Sequence, residues 1–115
     1  MKIELLYTAD CPDYVQAAEL IRIVLSETRI PARLGLVPVE TEQQARRLRF
    51  VGSPTVRVDG LDLDPYVTFA ATDFGLRCRK YQDGHRVRGW PSKRQLKDFI
   101  EVGWLAERGL VASCC

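Results

Sequence analysis

Four cysteines carry the chemistry open to this chain: Cys11, Cys78, Cys114 and Cys115. Cys11 lies in the stretch LLYTADCPDYVQAAELI, between an apolar run that reads as a strand and a segment with helical periodicity. A thiol at such a junction faces the free amides and the positive dipole end of the helix. Both favour the thiolate, which is the attacking form. Asp10 and Asp13 act the other way, because a nearby carboxylate disfavours a second negative charge. No Lys, Arg or His stands within three residues of Cys11, so the expected thiol is activated but not strongly acidic. A dithiol redox motif would place its second cysteine three positions on, and Tyr14 occupies that place. Any partner for Cys11 must come from elsewhere in the chain.

Two partners are available. Cys78, in LRCRKY, alternates with Arg77 and Arg79 and so points away from them in an extended segment, sharing its side with Leu76 and Lys80. It reads either as a small buried core residue or as a thiol that reaches Cys11 across a sheet edge or from a flexible connection. Bridging would require the two Cα atoms to lie within about 7 Å. Cys114 and Cys115 are adjacent; they suit joint ligation of a soft metal ion, or delivery of a thiol from a terminal tail, or simply a frayed end. Asp13 has a plainer reading as well, a first-turn acid that favours the helix. His85 is the single histidine, which leaves a structural zinc site dependent on convergence of the cysteines.

The elements that must position these groups can be read from pattern. Residues 2–8 form an apolar strand. Pro12 suits the first position of a helix, whose inner face carries Ala17, Ala18, Leu20, Ile21, Val24 and Leu25; Ile30-Pro31 ends it. Residues 32–40 read as a second strand, placed at a sheet edge because Pro38 cannot donate to a ladder. Thr41 and Gln44 predict a capping box for a short helix to about Arg49. A third strand alternates Val56 and Val58 with Thr55 and Arg57. Residues 61–75 read as irregular. Residues 76–81 read as a strand, with Asp83-Gly84 turning a hairpin into HRVRG. Ser92 caps a last helix with Leu96, Phe99, Ile100 and Trp104 inward, and Gly109 stops it. Trp90 and Trp104 read as packing anchors. The expectation is an α/β domain over residues 1–109, with a parallel βαβ unit, an antiparallel hairpin and a C-terminal helix, about four strands and three helices. Residues 110–115 are expected to form a tail.

In CPDY at 11–14 and SPT at 53–55 the chain resembles the thioredoxin-like superfamily. It looks most similar to small bacterial members that pair an N-terminal Cys-Pro with GSPT and a later LRCR. The resemblance covers roughly residues 1–100. It implies a thioredoxin-like fold in which Cys11, followed by Pro12 and Tyr14, is the attacking thiol. Pro54 would be a cis-proline facing that thiol, and Ser53, next to Thr55, the residue whose backbone pairs with an extended substrate. The two loops would meet although they lie about 40 residues apart, a non-local contact. Tyr14 departs from the dithiol pattern and argues against ordinary thioredoxin-type reductase activity. Proteins of this appearance are sometimes labelled alkylmercury lyases, which would cast Cys11 and Cys78 as thiols and Asp13 as the carboxylate that protonates a carbanion.

Composition bounds the rest. In 115 residues, 46% hydrophobic and 28% charged, one ordinary core can form. The net charge of +2, from 17 basic and 15 acidic residues, gives no bulk attraction to nucleic acid. RRLR at 46–49 and RCRK at 77–80 read as solvated faces. No run approaches the ~20 apolar residues of a membrane span, and no signal peptide is apparent. A cytoplasmic protein is therefore expected, with free, metal-bound or transiently oxidised thiols in place of a structural disulfide framework. No phosphate loop or nucleophile elbow is present, and no cofactor is expected. The expected partner is a protein or small-molecule thiol or disulfide, or a soft metal ion. Three functions stay open: thiol–disulfide exchange, soft-metal or organomercury handling, and a binding module without chemistry.

Overall fold

Apolar residues on both sides of one strand dictate a layered fold. In β1 (Lys2–Tyr7), Ile3 and Leu5 face one way and Leu6 the other, and all three are buried. A strand apolar on both faces must be covered on both. In the computed structural model, which describes residues 1–109, α1 (Tyr14–Thr28) and α4 (Lys93–Glu107) cover the Ile3–Leu5 face. The opposite face is covered by α2 (Glu42–Leu48), through Ala45.

The main sheet adds β2 (Arg33–Pro38), β3 (Thr55–Val58) and β4 (Leu61–Asp62), in the order β2-β1-β3-β4. β1 and β2 are parallel, with Leu5 opposite Leu36 and Tyr7 opposite Pro38, and α1 makes the crossover. β2 lies at the edge, where its proline costs no ladder bond. β3 runs antiparallel to β1, with Leu5 opposite Val56, and β4 antiparallel to β3. A second, two-stranded sheet pairs β5 (Tyr81–Asp83) with β6 (Arg86–Arg88). Gly84, at φ +62°, makes its tight turn.

The larger core sits between the sheet and its two long helices: Ile3 and Leu5, Ile21 and Val24 of α1, Val56, and Leu96 and Ile100 of α4. Trp90 and Trp104 pack against it, as anchors should. The smaller core, under α2, consists of Leu6, Val39, Ala45 and Phe50. The predicted capping box of Thr41 with Gln44 forms, and the predicted cap Ser92 forms a box with Gln95. They satisfy free amides at the two helix starts.

Several expectations need correction. Residues 61–75 are not wholly irregular: they supply β4 and the short helix α3 (Pro65–Ala70), so the described residues hold four helices and not three. The antiparallel hairpin that completes the main sheet is β3–β4, turning through Asp59 (φ +49°) and Gly60 (φ +87°), a pair whose left-handed backbone suits a tight hairpin. Residues 76–80 form no regular strand, and the later hairpin stands apart from the main sheet. Helix α1 begins at Tyr14, so Pro12 occupies a preceding turn and not the first helical position. Residues 110–115, including Cys114 and Cys115, lie outside the described residues. Among the described residues no helix is long and apolar enough to cross a membrane.

Phe50 is the largest side chain of the smaller core and is fully buried. Phe50→Ala is expected to cost about 3–5 kcal/mol, measured as a lowered urea midpoint with an unchanged slope.

Candidate functional site

The end of β1 delivers Cys11 through a turn closed by its own amide, which donates to the Thr8 carbonyl at 3.1 Å. A second turn follows, in which the Val15 amide donates to the Pro12 carbonyl at 3.1 Å. Tyr14 stacks its ring on Tyr7, with centroids 4.1 Å apart. It thus packs the helix start onto the strand where a second cysteine would otherwise stand. Asp13 is the N-cap residue but makes no side-chain capping bond. Its carboxylate lies against Gly89, where any Cβ would collide with it. Pro12 is exposed and Cys11 is 3% exposed.

The loop before β3 comes to the same end of the sheet. Ser53 Oγ accepts from the Thr8 amide at 3.1 Å, which ties this loop to the end of β1. The Ser53–Pro54 peptide bond is cis. Thr55 Oγ1 donates to the Gly52 carbonyl at 2.6 Å. Ser53, Pro54 and Thr55 are all buried.

Cys78 reaches this place from the segment ahead of β5. It forms a disulfide with Cys11, across 67 residues of sequence, with Cα atoms 5.6 Å apart. Beside the sulfurs the two backbones pair in parallel: the Ser53 amide donates to the Arg77 carbonyl and the Arg79 amide to the Ser53 carbonyl, each at 2.8 Å. Cys78 is exposed, so its reading as a core residue is corrected; the reach across to Cys11 is what forms. Two of the four cysteines are thus bonded to each other and not free. In the chain-entropy account, closing a loop of this length stabilises the fold by about 4 kcal/mol.

The solvated reading of RCRK also fails at one residue. Arg79 turns inward, donating to both carboxylate oxygens of Asp62 at 2.9 Å and to Thr55 Oγ1 at 3.3 Å. The two side chains are 6% and 2% exposed. Burial is the largest influence and disfavours the Arg79 charge, but the hydrogen bonds to Asp62 and the nearby charges of Tyr81, Asp62 and Asp64 together outweigh it and raise the pKa of the guanidinium. Arg79 also stacks over the Tyr81 ring at 4.5 Å, and the Tyr81 hydroxyl donates to the Pro54 carbonyl at 2.6 Å. Gly52, at φ +146°, leaves the space: a Cβ there would stand 2.8 Å from that of Arg79.

The structure therefore brings together Cys11, Cys78, Ser53, Pro54 and Thr55. Asp62, Arg79, Tyr81 and Gly52 belong to the same cluster and were not singled out from sequence. No local pattern marks them: residues 78–81 are exposed and buried in turn, but the same alternation of residue types fits a solvated face equally well. Among the described residues no group of three or more His, Cys, Asp or Glu is gathered to hold a metal ion. Fold and site define a class: a mixed α/β protein whose sheet end carries a disulfide between a buried strand–helix cysteine and an exposed cysteine far along the chain. Comparison with protein-family models, curated proteins and solved structures returns no match that would narrow this class further.

Burial pushes the ionisation of Tyr81 upward, with the Arg79 charge opposing it. A phenol with a raised folded-state pKa contributes stability that is complete below its ordinary value near 10 and is lost as pH rises beyond it. Stability is expected to fall above about pH 10 by up to about 1.4 kcal/mol per pH unit from this group. Tyr81→Phe should remove that part of the slope in urea titrations run across this pH range.

Proposed function

We propose that this chain is a thioredoxin-like thiol–disulfide exchange protein in which Cys11 and Cys78 form the redox couple. The observation that carries the reading is their disulfide, with one partner buried at the strand–helix junction and the other exposed. Cys78 supplies the second thiol that Tyr14 leaves out of the local motif, with the expected roles exchanged: the exposed Cys78 meets the substrate and the buried Cys11 resolves. A βαβ unit, an antiparallel hairpin and a covering helix support the fold assignment.

The exposure difference gives exchange a direction, because rate depends on which sulfur can be reached. An incoming thiolate attacks Cys78 Sγ, forming a mixed disulfide there and breaking the bond to Cys11. Cys11 leaves as a thiolate at the start of α1, where the helix dipole favours its charge. A second thiolate then attacks the mixed disulfide at the incoming sulfur. This releases a disulfide of the two external thiols and leaves Cys78 as a thiolate. In the reverse direction the protein dithiol reduces a disulfide substrate. In this reading the backbone groups of Ser53, with Pro54 and Thr55 buried beside it, stay engaged by residues 77 and 79, and the substrate meets the exposed Cys78 sulfur instead.

A second reading, soft-metal binding by the reduced pair, is favoured by the same convergence of two sulfurs. Asp13 would be the carboxylate of an organomercury reaction, and its packing against Gly89 holds it in one place. Cys114 and Cys115 could add thiolates, and Hg²⁺ titration of the reduced protein tests this reading. Stoichiometric uptake lost in Cys78→Ser would support it.

Exchange is tested by incubating the oxidised protein with excess glutathione and following the free thiols by alkylation and mass spectrometry. A mixed disulfide trapped on Cys78 when reduced Cys11→Ser is exposed to glutathione disulfide, with release of one glutathione, and total loss of turnover in Cys78→Ser, are expected. A disulfide that persists under these conditions in the folded protein identifies a structural cross-link and removes the exchange reading.

A further inference from the structure

Reduction breaks only one of the ties that hold residues 77–81 to the sheet. The others involve no sulfur: two backbone bonds between Ser53 and residues 77 and 79, the paired bonds from Arg79 to Asp62, and the bond from the Tyr81 hydroxyl to the Pro54 carbonyl. The ion pair is almost wholly buried, where removal of one partner strands the other charge and water cannot compete for the bonds. Gly52 leaves room for Arg79 against the backbone. Arg79 neighbours Cys78, so fixing its side chain fixes the path of the cysteine.

We propose that Asp62 and Arg79, assisted by Tyr81, are positioning residues that keep Cys78 docked beside Cys11 when the disulfide is reduced. The proposal rests on the exchange reading for its purpose, while the docking itself is a property of the reduced chain. Two thiols joined only by a flexible loop meet at an effective concentration of order millimolar. Thiols held in bonding geometry have far higher effective concentrations. The latch therefore favours the disulfide in the balanced equilibrium in which the protein disulfide and two glutathiones give the protein dithiol and one glutathione disulfide.

The test uses the full chain reduced with a phosphine, read by amide hydrogen exchange. In the wild type the Ser53 and Arg79 amides are expected to stay protected after reduction. In reduced Asp62→Asn they should exchange at least tenfold faster, with a smaller acceleration in Tyr81→Phe, while amides of the β1–β3 ladder stay protected in both. In glutathione redox buffers the equilibrium constant should shift at least tenfold towards the dithiol in Asp62→Asn, and less in Tyr81→Phe. Protection lost on reducing the wild type overturns the proposal. So does an equilibrium constant within twofold of wild type in a folded Asp62→Asn. If Asp62→Asn loses its ladder protection as well, the Tyr81→Phe comparison decides, and an unchanged exchange rate there overturns the proposal. A wild-type disulfide that does not equilibrate with glutathione removes the exchange reading alone, because amide protection in the reduced chain still decides the docking.

Discussion

A guanidinium buried against a carboxylate organises this end of the molecule. Arg79 and Asp62 come from segments with no regular pairing to each other, and both are withdrawn from water. Desolvation of two charges is expensive, and their attraction repays it only where the geometry is good and the remaining donors find acceptors. Here both carboxylate oxygens receive Arg79, the Asp64 amide also donates to Asp62 at 2.7 Å, and Thr55 takes a third contact from the guanidinium. The pair therefore admits one arrangement of residues 76–81. That arrangement sets Cys78 over Ser53 and Tyr81 over Pro54.

The main sheet supplies the other half of the constraint. β1 is central, so the turn that follows it is anchored by strands on both sides, and the Thr8 amide fixes that turn to Ser53 Oγ. Cys11 is thus placed by the interior of the fold, whereas Cys78 is placed by a segment lying on its edge. The difference in exposure between the two sulfurs follows from this division. The sulfur that the core places is sheltered, and the one the edge segment places is open to solvent.

Much of this was legible in sequence where local chemistry and periodicity agree. The helix caps at Thr41 and Ser92, the edge position of the Pro38 strand and the inner faces of α1 and α4 all have signals within a few residues of themselves. The β3–β4 hairpin had such a signal too, Asp59-Gly60 between Val58 and Leu61, but β4 is only two residues long and offers no run to recognise. Arg79 and Asp62 were illegible for another reason. An arginine among arginines is read as solvated until its acid is known, and that acid lies 17 positions away in a stretch without pattern. The pairing of Cys78 with Cys11 was one of several possibilities, because no local rule selects one distant thiol over another.

A covalent bond that closes a 67-residue loop and a set of polar bonds that close shorter ones thus hold the same segment. The disulfide acts largely on the unfolded chain, by removing conformations that the open loop could explore. The ion pair and the tyrosine bond act on the folded chain, by specifying where the segment rests. Neither substitutes for the other. A cross-link without the polar contacts would tether Cys78 but leave its approach to Ser53 undefined, and polar contacts without the cross-link would define the approach but not restrict the unfolded chain. A segment held in both ways can lose its sulfur bond while its position remains specified. This combination suits a site whose covalent bond is to be broken and remade.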